Sequence, residues 1–174
     1  RNDIHISDFY YWNQSATGGG IEDVLIGGLK YSYAFSRKDS LYQEQAVTRH
    51  DVNVAGFKTN PGGELEFGVS YLEKPRRTDA HSGWAITAQH VQNAFLGGRN
   101  TVALQYGEGP GTGLGYTGNT RLDNSSKRYR LVEFFDWQVT PRFGGQVEAV
   151  YQKDVRPQGG NQEWLSLGVR PAYA

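Results

Sequence analysis

Glu64-Leu65-Glu66-Phe67-Gly68-Val69-Ser70-Tyr71 alternates polar and apolar residues, with one glycine in the polar series. Side chains of a strand point to opposite faces at every step. One face of this segment therefore carries Leu65, Phe67, Val69 and Tyr71, and the other Glu64, Glu66 and Ser70. The rhythm recurs in Leu29-Lys30-Tyr31-Ser32-Tyr33-Ala34-Phe35 and in Trp164-Leu165-Ser166-Leu167-Gly168-Val169-Arg170. Repeated along a chain in strands of roughly 10 residues, with aromatics near the strand ends, this pattern is the signature of a transmembrane β-barrel around a wet lumen. It points to transport rather than catalysis.

Working outward, the chain reads as about nine strands, at 3–12, 23–36, 49–58, 64–74, 83–92, 100–107, 127–139, 143–154 and 162–173. Gly, Pro, Asn and Asp break every helical window. The connections alternate in length. Asn60-Pro61-Gly62-Gly63 and Thr140-Pro141-Arg142 are short, whereas 37–48, 75–82 and 108–126 are longer and polar. Outer-membrane barrels have short periplasmic turns and longer outer loops, so the alternation predicts a direction. The stretch 13–22, long but periplasmic by this count, departs from it.

Facing follows strand by strand. Leu29, Tyr31, Tyr33 and Phe35 are predicted to face lipid, with Lys30, Ser32 and Ser36 facing the lumen. Val102, Leu104 and Tyr106 face out against Gln105. Val147, Ala149 and Tyr151 face out against Gln146, Glu148 and Gln152. Leu165, Leu167 and Val169 face out against Arg170. Glu133 falls on the face of Leu131 and Phe135, which predicts either a bulge or a protein contact.

The 174 residues suit one domain and include 23 glycines, 11 tyrosines, 8 phenylalanines and 4 tryptophans. Hydrophobic residues make up 37%, and no apolar run reaches the roughly 18 residues of a membrane helix. Eighteen basic residues balance eighteen acidic ones, so no bulk charge argues for nucleic acid. Absence of cysteine excludes disulfides and thiolate metal sites. The chain starts at Arg1 rather than Met, which predicts a processed product or an excised piece. A soluble antiparallel β-protein also alternates, and a β-sandwich lectin using the same Tyr, Trp and Asp for sugar is the rival reading. Against it, each phenol and indole in a dry core needs a polar partner.

Several stretches together resemble the maltoporin family of bacterial sugar-specific porins. They are Asp8-Phe9-Tyr10-Tyr11-Trp12, Thr59-Asn60-Pro61-Gly62-Gly63, Ser82-Gly83-Trp84 with Thr87-Ala88, and Leu167-Gly168-Val169-Arg170-Pro171. Ile21-Glu22-Asp23-Val24-Leu25-Ile26-Gly27-Gly28 and Tyr106-Gly107-Glu108-Gly109-Pro110-Gly111-Thr112-Gly113 resemble its sucrose porins more closely. The resemblance implies an all-β, antiparallel barrel of about 18 strands, of which residues 1–174 are the middle half, lacking first and last strands. It further implies a homotrimer in the outer membrane of a Gram-negative bacterium. That barrel is a passive channel for sucrose or maltose-type oligosaccharides, embedded in lipid, with no nucleic-acid partner.

In that family a loop folds inward and narrows the channel. The match places Arg1, Asp8, Tyr10 and Asn13 at or beside the constriction. Arg and Asp suit sugar hydroxyls through charge-assisted hydrogen bonds, and a Tyr ring suits the C–H face. Phe9 and Tyr11 read as girdle residues. Arg1 with Tyr10 looks maltose-like inside an otherwise sucrose-like chain. No organic cofactor or catalytic residue is expected, although acidic loop residues such as Asp123 leave a structural Ca²⁺ open. Gly113-Leu114-Gly115-Tyr116-Thr117-Gly118 fits a dinucleotide fingerprint in letters only, because no helix follows. His5, His50, His81 and His90 lack ligand spacing and read as solvated or luminal. Glu64 and Glu66 share a face, but flank a turn as water-facing charges rather than as a hydrolytic pair.

Overall fold

The structure, a computed structural model, describes residues 17–42, 45–73, 82–109, 127–156 and 160–173. These form one nine-stranded antiparallel sheet in which every strand pairs with its neighbours in sequence. The strands are β1 (Thr17–Ile26), β2 (Leu29–Tyr42), β3 (Gln45–Lys58), β4 (Gly63–Leu72), β5 (Gly83–Phe95), β6 (Gly98–Glu108), β7 (Lys127–Thr140), β8 (Phe143–Val155) and β9 (Gln162–Tyr173). The described part of the sheet is not closed: β1 and β9 stand at its two edges.

Seven of these strands lie where the alternation predicts them, within a few residues. The segment read as one strand at 23–36 is instead a hairpin. Gly27 and Gly28 both take positive φ, 60° and 82°, the pairing that a two-residue turn demands when its twist matches that of the strands. The preceding stretch, read as a connection, is β1. This extra strand removes the misfit of a long periplasmic link, because 27–28 now joins 59–62, 96–97 and 141–142 at one end of the sheet. The expected strand at 3–12 lies outside the described residues.

The short turns have local causes. Gly63 N–H donates to the Asn60 carbonyl at 2.9 Å, with Pro61 presetting its φ. Thr140 Oγ1 accepts from the N–H groups of Arg142 and Phe143 at 3.3 and 3.0 Å, tying β7 to β8. At the β5–β6 turn Leu96 has φ 47° and is 83% exposed. A left-handed residue with a Cβ carries a strain of roughly 1–2 kcal/mol. Leu96→Gly is therefore expected to raise stability by up to about 1 kcal/mol, less than the relieved strain because glycine gains freedom when unfolded. Urea unfolding in lipid vesicles reads it, and a loss of stability would refute strain at this position.

The distribution of side chains is inverted relative to a water-soluble protein. The buried residues are mostly polar: Asp51, Asn53, Glu66, Gln89, Gln105, Arg128, Gln152 and Asp154 are all under 8% exposed. The buried apolar residues are few, Ala85, Ala103, Val132, Phe134 and Val150, and register places them on the same face as these polar groups. The other face bears Val52, Phe67, Val69, Ile86, Leu104, Leu131, Leu165, Leu167 and Val169, all exposed. Nothing among the described residues covers it. The facing read from the sequence holds on β2, β4, β6, β8 and β9.

Glu133 does lie on the apolar face, but without a bulge. Its register is continuous, Val102 on one side and Ala149 on the other, and Asn100 Nδ2 donates to its Oε1 at 3.3 Å.

Candidate functional site: the inward polar wall and its aromatic margins

The outward face is banded. Toward the end with the long connections, Tyr33 Oη meets His50 Nδ1 at 2.8 Å, and the His50 ring stacks between Tyr33 and Tyr71. Trp84, Tyr106 and Tyr129 continue the row, with ring centroids 5.3 and 5.0 Å apart. Toward the short-turn end, Phe57–Phe67, Phe95–Phe135 and Trp137–Phe143 form edge-to-face pairs at 5.5, 6.1 and 5.3 Å. A Cβ on Gly145 would fall 2.7 Å from the Trp137 ring, so glycine is what lets that indole lie against β8. Mostly aliphatic side chains fill the band between the two rows, Glu133 with its Asn100 partner being the exception. Aromatic rings at two levels, rich in Tyr and Trp at the long-connection end and mostly Phe with Trp137 at the other, match the two aromatic girdles of a barrel in a bilayer.

His50 corrects one expectation. It is neither luminal nor simply solvated, but sits in the aromatic row. Its Nε2 lies 2.9 Å from Glu73 Oε1, and this contact holds the Glu73 carboxyl below the usual carboxylate range. His90 is likewise outward, with Nε2 3.1 Å from Thr59 Oγ1.

The inward face is a continuous polar wall. On β3–β5, Asn53 Nδ2 and Gln89 Nε2 both donate to the Glu66 carboxylate, and Ser70 Oγ donates to Asp51. On β5–β6, Gln105 Nε2 donates to Thr87 Oγ1 at 3.0 Å. On β7–β8 the Arg128 guanidinium spans both oxygens of Asp154, Nε to Oδ1 and Nη2 to Oδ2, each at 2.7 Å. Lower down, Gln146 donates to Asp136 at 2.9 Å and Arg170 to Glu148 at 2.9 Å. Inward carboxylates thus occur on both β3–β4 and β7–β8, whereas the guanidinium groups named here gather on β7–β9. A wall of amides, carboxylates and guanidinium groups exchanges hydrogen bonds with hydroxyl-rich solutes at many shallow positions, as conduction requires.

Arg1, Asp8, Tyr10 and Asn13, and the open Ca²⁺ residue Asp123, all lie outside the described residues. Glu64 and Glu66 part company: Glu64 pairs with Lys58, while Glu66 is buried in the amide network. Among the described residues no three metal-ligating side chains gather. Sequence reasoning missed Trp164. It pairs across from Gln152, so its half-buried indole shares the polar face. The parity of Leu165 and Leu167 carried that signal.

A sheet apolar outside and polar inside, with an aromatic row at each margin, is the wall of a transmembrane β-barrel. The family model of the LamB porins matches residues 1–174, and the chain belongs to the LamB porin family. Its strands are of the outer-membrane β-barrel type, and the family is one of channels and not of enzymes.

Proposed function

We propose that this chain forms the middle half of an 18-stranded (by resemblance, about 18) barrel that conducts sugars passively, sucrose and related disaccharides first among them. Maltose-type oligosaccharides are the next candidates. The observation that supports it best is the inverted sheet, whose exposed apolar face suits lipid and whose inward face offers hydroxyl-binding groups from edge to edge. The family match adds sugar passage to that physics. A soluble β-sandwich lectin is disfavoured, because it would bury the face that stands bare here.

In this reading the barrel is a homotrimer, the short turns are periplasmic, and the long connections face outward. No organic cofactor, energy source or catalytic group enters. Arg1, Asp8, Tyr10 and Asn13 narrow the bore, with Arg1 and Asp8 holding rim hydroxyls and Tyr10 lying against the sugar's C–H face. Titrating sucrose against maltose on the full-length porin in planar bilayers tests the substrate. Equal, negligible block by both would refute a sugar channel.

Tyr10 supplies a sharper test. Tyr10→Ala removes a ring that fills cross-section and covers a sugar face, so ion conductance and half-blocking sugar concentration are both expected to rise. Tyr11→Ala, on the opposite parity, is expected to change neither. If Tyr11→Ala widens the pore and Tyr10→Ala does not, the register is off by one and Asp8 loses its role.

A further inference from the structure

Near the long-connection end, the inward face of β7 and β8 sets Arg128, and Arg156 just beyond β8, around the carboxylate of Asp154, with Arg130 one inward position further along β7, across from Gln152. That carboxylate is fully buried and already engaged. Arg128 takes both of its oxygens at 2.7 Å, and Gln152 Nε2 donates to Oδ1 at 3.1 Å. Arg156 comes no nearer than 3.6 Å, through Nη2, which is beyond a hydrogen bond. Its Nε and Nη2 are shielded from solvent and have no acceptor among the described residues.

These two nitrogens lie on one edge of the guanidinium. Arg128 uses the same edge to grip Asp154. It is the fork that fits two oxygens of a carboxylate or phosphate at once. Buried donors without acceptors are uncommon in folded proteins and ask for an explanation. The other inward carboxylates described on β7 and β8, Asp136 and Glu148, stand further down the wall, held by Gln146 and Arg170.

We propose that Arg156, seated beside the Arg128–Asp154 pair, is an oxyanion-binding station on the channel wall. A phosphate or carboxylate, free or carried by a sugar, docks on its Nε–Nη2 edge. Arg130, one inward position along β7, adds positive potential, while the charge of Arg128 is balanced by Asp154. The side chain keeps 18% of its surface exposed, and it follows the last residue of β8. Rotation of its outer torsions therefore turns the fork toward the lumen. The station rests on the channel reading but goes beyond neutral sugars.

The test uses the full-length porin in planar bilayers, with inorganic phosphate, sodium gluconate, and glucose 6-phosphate against glucose as probes. The parent channel is expected to be partly blocked by the anions, and by glucose 6-phosphate more strongly than by glucose. In Arg156→Gln the half-blocking anion concentration is expected to rise about tenfold, the scale of a lost charge-assisted hydrogen bond. Block by sucrose stays unchanged. Arg156→Lys, which keeps charge but not the fork, is expected to fall between, and it carries the test if Arg156→Gln does not assemble. Block by phosphate alone or by gluconate alone assigns the station to that oxyanion. Identical anion block in parent and variants, or no anion block of a parent that sucrose does block, overturns the station and leaves the sugar channel standing. A parent that forms no channel overturns both.

Discussion

Asp154→Ala is expected to destabilise the barrel by about 3–5 kcal/mol, the cost of breaking a buried ion pair by removing one partner. The size follows from where Arg128 is left. Its side chain is 2% exposed and that of Asp154 0%, so the freed guanidinium cannot reach bulk water without disturbing the wall. Two of its donors lose acceptors together, and Gln152 loses one as well. Coupling identifies the cause. Arg128→Met with Asp154→Ala together removes charge and carboxylate, and is expected to recover most of the loss, because an apolar replacement of both partners is often nearly neutral. Urea unfolding of the porin in lipid vesicles measures both variants. An Asp154→Ala cost below about 1 kcal/mol, the range of an exposed pair, would mean that water reaches this cluster freely. Arg156 would then have no unmet donors to explain.

The facing of the strands was legible because a period of two needs no partner to interpret. Leu65, Phe67 and Val69 declare one face, and the inverted burial of Glu66 and Ser70 follows. The β1–β2 hairpin was less so. Gly27-Gly28 is a strong turn signal, yet Val24-Leu25-Ile26 and Leu29 flank it with apolar residues that read as one uninterrupted strand. Pairings across strands were out of reach. Arg128 meets Asp154, 26 residues away, only because of the β7–β8 register, and a slip of one strand by one residue would send its partner side chain to the other face. Glu133 shows the reverse case. Its place on the apolar face was read correctly, but its partner Asn100, 33 residues earlier, is supplied by β6. The placement of Arg1, Asp8, Tyr10 and Asn13 at a constriction is a proposal that rests on resemblance, since no spacing rule brings an inward-folded loop to a wall. The wall residues that the structure adds, Arg156 and Trp164, were open to parity in one case and hidden by register in the other.

Leu104→Arg is expected to cost about 2–4 kcal/mol in lipid vesicles, the range for a cation near the middle of the hydrocarbon. Leu104 lies at the centre of β6, with Ala88 across one ladder and Leu131 across the other. Its side chain is 59% exposed and faces outward. Tyr106, two residues on, belongs to the aromatic row that marks the nearer interface. An arginine at Leu104 must therefore lose hydration or stretch to that row, and either is costly. In a water-soluble sheet the same exposed substitution changes stability by at most about 0.5 kcal/mol, so the magnitude itself separates a membrane wall from a soluble one. Ser166→Arg is the control. Ser166 is exposed on the inward face opposite Val150, where water solvates the new charge. That variant is expected to leave stability within about 0.5 kcal/mol and to alter ion conductance. Should Leu104→Arg cost as little as Ser166→Arg, the apolar face does not meet hydrocarbon at this strand and another protein surface must cover it. Should Ser166→Arg be the costly one, the inward and outward faces have been exchanged, and the polar wall of Glu66, Gln105 and Asp154 would have to be a buried core.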